Sequence, residues 1–107
     1  MSPTPPQNPD APFVAHAHDR WLERWLPRLR EFNPQLMLVS AGFDAHSEDD
    51  MGSMKLSEKD YAWVTEQIKA VADESAGGRI VSLLEGGYVL SALARSVAAH
   101  LKVLAGI

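Results

Sequence analysis

Residues 36–52 read LMLVSAGFDAHSEDDMG. Leu36 to Ser40 is a short, almost wholly apolar run, and the chain then places Asp44, His46, Glu48, Asp49 and Asp50 within seven positions. An apolar run of this length between turn signals is the pattern of a strand covered on both faces, as in a parallel sheet sandwiched by helices. Arg79 to Leu84 (RIVSLL) repeats the pattern and ends in Glu85-Gly86-Gly87-Tyr88. Two buried strands, each running straight into an unusual polar loop, set the architecture.

The segments around the strands read as helices. From about Ala15 to Phe32, Trp21, Trp25, Leu29 and Phe32 recur along one helical face, with Leu22 and Leu26 beside it. Pro27 removes the amide that would bond to the Glu23 carbonyl, which predicts a kink or break. Asn33-Pro34 stops the helix, because a residue before proline avoids the helical region. Ser57 with Asp60 three residues later resembles a capping box and opens a second helix carrying Tyr61, Val64, Ile68 and Val71 on one face. Gly77-Gly78 closes it. A last helix, about Leu90 to Ala105, aligns Leu90, Leu93, Ala94, Val97, Leu101 and Leu104.

The order is helix, strand, helix, strand, helix, which assembles most simply as two parallel strands joined by a helical crossover. Two strands make a poor sheet, and strands buried on both faces expect neighbours at their edges. The segment is therefore expected to complete a larger sheet. Residues 1–14, with five prolines in the first twelve positions, read as a lead-in or surface loop, and 15–107 as the folded part.

Composition narrows the function classes. The 107 residues carry a formal charge of −4, so no basic field exists to hold nucleic acid or anionic lipid. There is no cysteine, which excludes disulfides and thiolate metal sites and fits a cytoplasmic protein. No apolar stretch approaches the roughly 20 residues of a membrane span, and the start MSPTPPQNPD has no signal-peptide pattern. The expectation is a cytoplasmic protein with no nucleic-acid or membrane partner.

In open parallel sheets, ligands bind beyond the carboxyl ends of the strands. Both unusual loops follow strand ends, so they are expected on one edge of the sheet, close together. Asp44 in such a place reads as a metal ligand, a general base, or a turn or cap residue. With His46 it forms an Asp-x-His pair, but a catalytic zinc usually takes three protein ligands and one pair is too few. Glu48, Asp49 and Asp50 read as a solvated acidic turn, without the ordered ligand spacing of a calcium loop. His16 and His18 lie at a helix start and are weak candidates for metal. Gly86-Gly87 allows a sharp turn and close approach, and Tyr88 after it reads either as a half-buried aromatic or as a hydroxyl aimed at a substrate carbonyl. The pattern is not the dinucleotide G-x-G-x-x-G. Trp21 and Trp25 read as core.

SAGFDAH with its acidic turn, then LSEKDYAWVTEQI, GGRIVSLLEGGY and ALARSVAAHL, resembles the C-terminal portion of the histone deacetylase superfamily. The likeness is greatest to its class II-like branch of deacetylases and acetylpolyamine amidohydrolases. It runs from about Leu36 to the end and, more loosely, over the Pro-rich lead and first helix. The resemblance implies an α/β fold of the arginase/deacetylase type, with a parallel sheet sandwiched by helices. It implies that Asp44 is a ligand of a catalytic zinc and that Tyr88 points its hydroxyl at the scissile carbonyl. Met51, Gly86 and Gly87 match residues lining the acyl-lysine tunnel, whereas His46 matches a common residue that is not a zinc ligand. The substrate class implied is acetylated lysine or acetylated polyamine.

The sequence departs from that family in two places. Asp50 stands where many relatives have proline. The Asp-x-His pair that supplies the other zinc ligands and the His-His pair that moves protons lie upstream in the family, and no segment here matches them. The expectation is a fragment of a zinc-dependent deacetylase, inactive by itself. The alternatives are an interaction module that pairs through exposed sheet edges with itself or a partner chain, and a subunit completing a split enzyme.

Overall fold

The computed structural model describes residues 4–8, 12–52 and 54–107, with backbone only at 12 and 13. Of the expected lead-in, residues 1–3 and 9–11 lie outside the described residues. Residues 4–8 have no regular secondary structure. The first helix, α1 (Pro12–Arg20), begins three residues ahead of the expected start, as proline is well tolerated in a first helical turn.

A single π turn, Trp21–Trp25, comes after α1 and leads into α2 (Leu26–Phe32). The Leu26 amide donates to the Trp21 carbonyl, five residues back, and Pro27 sits in the first turn of α2. This is how the chain absorbs Pro27: the proline has no amide to give, its ring crowds the preceding turn, and the wider π turn relieves that crowding. The widened turn also rotates α2 relative to α1. Leu26 is buried, with Trp21, Leu22 and Leu29 packed against the same cluster, while Trp25 and Phe32 are exposed. The expected stripe of Trp21, Trp25, Leu29 and Phe32 is thus corrected, and Trp25 is not core. Asn33 takes the left-handed conformation (φ 56°) and ends α2.

β1 (Met37–Ala41) and β2 (Ile80–Leu84) pair in parallel, in register from Met37↔Ile80 to Ala41↔Leu84. Between them runs α3 (Glu58–Ser75), and after them α4 (Leu90–Ala105). The capping box that opens α3 is formed on both sides: Ser57 accepts from the Asp60 amide, and the Ser57 amide donates to Asp60 Oδ2 at 2.8 Å.

All the described helical packing lies on one face of the sheet. Met37 joins Val71, Ala72, Ala76 and Leu26 in the core, with Ile80 packed against them. His100 of α4 reaches Ser82 of β2 and Thr65 of α3, at 2.8 Å each. The opposite face is bare: Leu38 is 68% exposed beside Val81, and Leu83 is 57% exposed. Strands read as covered on both faces are covered on one. Their apolar character is real, but the layer that would use the second face is not among the described residues.

α4 carries a second correction. Ala92, Ser96 and His100 are its buried positions, whereas Leu90, Ala94 and Leu101 are exposed. Small Ala92 and Ser96 and the hydrogen-bonded His100 form the inner side of α4, and the leucines at Leu90 and Leu101 lie exposed.

Candidate active-site edge

The ladder continues past the strand ends. The Glu85 amide donates to the Ala41 carbonyl at 2.8 Å, and the Phe43 amide donates to the Gly86 carbonyl at 2.7 Å. Two strand ends joined this far carry their loops out side by side, so Asp44 and Gly86-Gly87-Tyr88 share one edge of the sheet, as expected from the strand order. The contact is close. A Cβ at Gly86 would stand 2.9 Å from Asp44 Cγ and within about 3 Å of both carboxylate oxygens, so only a glycine leaves room for that carboxylate. Gly87 has φ +144°, a conformation that favours glycine, and turns the chain towards α4.

Phe43 is buried beneath this edge and holds it to the helices. Its ring lies 5.0 Å from Tyr61 of α3 and 5.8 Å, edge-on, from His100 of α4. Burial pushes the Tyr61 hydroxyl up to about 12, and the nearby charges of Asp44, Asp49 and Asp60 add to that shift. Thr65 Oγ1 donates its proton to the Tyr61 carbonyl (2.6 Å), so it accepts from His100 Nδ1. His100 Nε2 is then left to accept from Ser82. Burial lowers the His100 pKa, which favours this neutral form.

The loop after β1 is folded, not a solvated acidic turn. His46 is buried, and its Nδ1 accepts the Glu48 amide at 3.0 Å while its Nε2 stands 3.3 Å from Glu58 Oε2. Arg95 of α4 bridges the same carboxylates, bonding Glu58 through Nε at 2.6 Å and Glu48 through a terminal nitrogen. The Arg95 hydrogen bond, chiefly, holds the Glu58 carboxyl down to about 2. Asp49 is 4% exposed; its Oδ1 accepts the Met51 amide at 2.9 Å and its Oδ2 the Tyr88 amide at 2.8 Å. Those amide bonds, Tyr88 first, lower its pKa. The expected triad of exposed carboxylates is corrected at Asp49, the one member that is buried; Glu48 and Asp50 remain exposed.

Several candidates separate in space. His16 is exposed, while His18 is buried with Nε2 3.0 Å from Asp60 Oδ1, so the pair shares no site. His46 turns its two ring nitrogens to Glu48 and Glu58, so Asp44 and His46 do not act as an Asp-x-His pair. Among the described residues, His46, Glu48 and Glu58 are the one His/Asp/Glu group with ligand atoms within 4.8 Å of one another, and Asp44 is not in it. Its two carboxylates already hold a cation, the Arg95 guanidinium. Met51 and Tyr88 are 69% and 60% exposed, so both face outward from this edge.

Sequence reasoning missed two residues. Asp49 lay hidden among identical-looking neighbours. Gly52 is a second: a Cβ there would stand 2.3 Å from the Asp44 carbonyl oxygen, so the loop folds back onto the backbone of Asp44 itself. A glycine just past an acidic run was the available signal.

Comparison with known proteins identifies the family and the fold. The histone deacetylase domain family matches residues 2–104. The chain is 46% identical over 88 residues to the type-2 histone deacetylase 2 of Dictyostelium discoideum, covering 79% of this chain and 5% of that protein. It is 41% identical over 86 residues to the human polyamine deacetylase HDAC10, covering 80% of this chain and 12% of that protein. The HDA15 HD domain superposes with a TM-score of 0.78 at 30% identity over 87% of this chain and 25% of the other. The histone deacetylase Clr3 gives 0.74 at 34% identity, over 83% and 14%. The chain thus spans a small fraction of the proteins it matches, and its fold is part of an α/β deacetylase domain. With two loops meeting at one carboxyl edge and the family matched over nearly its whole length, the chain belongs to the histone deacetylase family.

Proposed function

We propose that this chain is the part of a zinc-dependent deacetylase that supplies one metal ligand, Asp44, and the carbonyl-polarising hydroxyl, Tyr88. The observation that carries the reading is the contact of the Asp44 carboxylate with Gly86, two residues before Tyr88. It brings the two loops that matter in the family's motifs to one point. The substrate class is an acetylated lysine or acetylated polyamine, as the names of the relatives suggest for those proteins. Met51, Gly86 and Gly87 line the approach for the acyl chain.

The residues present do not make a zinc centre by themselves. One carboxylate supplies a single ligand where three are needed, and in the His46, Glu48 and Glu58 group both carboxylates are bonded to Arg95 instead. The remaining ligands and the proton-transfer histidines must come from another segment. Zinc in a complete site supplies Lewis-acid polarisation and an activated water. Within this chain, Tyr88 donates a hydrogen bond to the acetamide oxygen where negative charge develops, an interaction stronger in the transition state than in the ground state.

The test compares two preparations. The isolated chain is expected to bind no stoichiometric zinc on equilibrium dialysis and to release no acetate from an acetyl-lysine peptide or an acetylpolyamine. In the complete deacetylase carrying this segment, Tyr88→Phe is expected to lower kcat by roughly 100-fold or more. A tight zinc site in the isolated chain, or full activity in Tyr88→Phe, would overturn the reading.

The bare sheet face favours a second reading, a module that associates through Leu38, Val81 and Leu83. It expects concentration-dependent dimerisation without zinc, abolished by Leu83→Lys, in analytical ultracentrifugation. A monomer at all concentrations removes it.

A further inference from the structure

We propose that Asp49 is a positioning residue: its buried carboxylate, shared between the Met51 and Tyr88 amides, fixes the tyrosine loop against the loop that bears Asp44. The inference rests on the role proposed above for Tyr88, but its geometry stands independently.

Tyr88 has little else to hold it. Its side chain is largely exposed, and two glycines precede it. The ladder that steadies β2 ends with the Gly86 carbonyl, which accepts from Phe43. Beyond that, α4 begins with Val89 as its N-cap and no side-chain cap bond, and its first turn has no acidic residue. Asp49, 39 positions earlier in the chain, closes the gap by accepting the Tyr88 amide. Tyr88 directly precedes the N-cap, and a carboxylate this close to a helix start also complements the helix dipole. Its other oxygen accepts the Met51 amide, so the same group sets both sides of the site edge. Being acceptor-only and buried, it suits two converging N–H donors as no neutral side chain of its size would. The lowered pKa agrees with this, with the Tyr88 amide as its largest cause.

Two measurements test the proposal. In the unsubstituted chain, the Tyr88 amide is expected to exchange with solvent as slowly as the ladder amide of Phe43, read by NMR. A freely exchanging Tyr88 amide overturns the proposal whatever the variants do. In Asp49→Ala, the Tyr88 amide is expected to exchange at least about 10-fold faster while Phe43 keeps its protection, which shows local release in an intact fold.

The second measurement is a double-mutant cycle in the complete deacetylase. Asp49→Ala alone is expected to lower kcat by roughly 10- to 100-fold with KM changed far less. In a Tyr88→Phe background it should cost almost nothing more, because the group it positions is gone. A merely structural Asp49 would cost the same in both backgrounds, and that additivity would overturn the proposal. If Tyr88→Phe itself leaves kcat intact, the reading of Tyr88 falls, while the exchange result still reports whether Asp49 holds the loop.

Discussion

The two loops at the carboxyl edge of the sheet are built on opposite plans. The loop after β1 is long and holds itself: His46 pins the Glu48 amide, Asp49 pins the Met51 amide, and backbone bonds tie Leu56 to Ala45 and Ser47 across its base. The loop after β2 is five residues with two glycines, and it borrows its order from the first, through Phe43 to Gly86 and through Asp49 to Tyr88. The first loop is held largely by bonds within itself; the second is placed by its bonds to the first.

The sharpest way to break the comparison is at Gly52. A methyl group there meets the Asp44 backbone, which cannot rotate aside as a side chain would. Gly52→Ala is therefore expected to lose about 2–3 kcal/mol of stability, as overpacking of a fixed backbone does, measured by urea unfolding. A cost near zero would show that the first loop can give way at the Asp44 backbone. Ser57→Ala comes next. It removes the hydroxyl half of the capping box where the first loop enters α3, and about 1 kcal/mol should be lost in the same assay.

The smallest effect is that of pH, and it separates the ground beneath the loops from the first loop itself. His100 has a lowered pKa in the fold, so the unfolded chain takes up a proton first as pH falls. Stability is full above the ordinary histidine value of 6.5 and declines as pH drops below it towards the folded value. Glu58 acts at lower pH. With its carboxyl held to about 2 against an ordinary 4.5, its contribution is present above 4.5 and lost as pH falls through 2. Urea midpoints taken at about pH 7.5, 5.5 and 4 should fall in that order, and His100→Gln should flatten the first step. A rise between the first two would contradict the neutral, buried His100.

Much of this was legible in the chain itself. Apolar runs at Leu36–Ser40 and Arg79–Leu84, the Ser57–Asp60 signal, Gly77-Gly78 and Asn33-Pro34 marked the elements, because local backbone preferences and periodicity act over a few residues. Strand ends followed by Asp44 and by Gly86-Gly87-Tyr88 placed the candidate edge. Less legible was which side of each element faces inward. Of one predicted stripe, Trp21 and Leu29 pack on the core, while Trp25 in the π turn and Phe32 at the end of α2 lie at the surface.

What the sequence by itself determined is the order of elements, the parallel pairing they require, and the two loops that meet at one edge. What only the tertiary structure decided is the division of labour among like residues. Asp49 and Asp50 are indistinguishable in composition, and Leu90 and Leu93 belong to one predicted stripe. Whether such a side chain is buried depends on partners that are distant in the chain: Tyr88 lies 39 positions from Asp49, and Arg95 lies 47 from Glu48. Burial and hydrogen-bond satisfaction are properties of the assembled contacts, and no window of local sequence contains them.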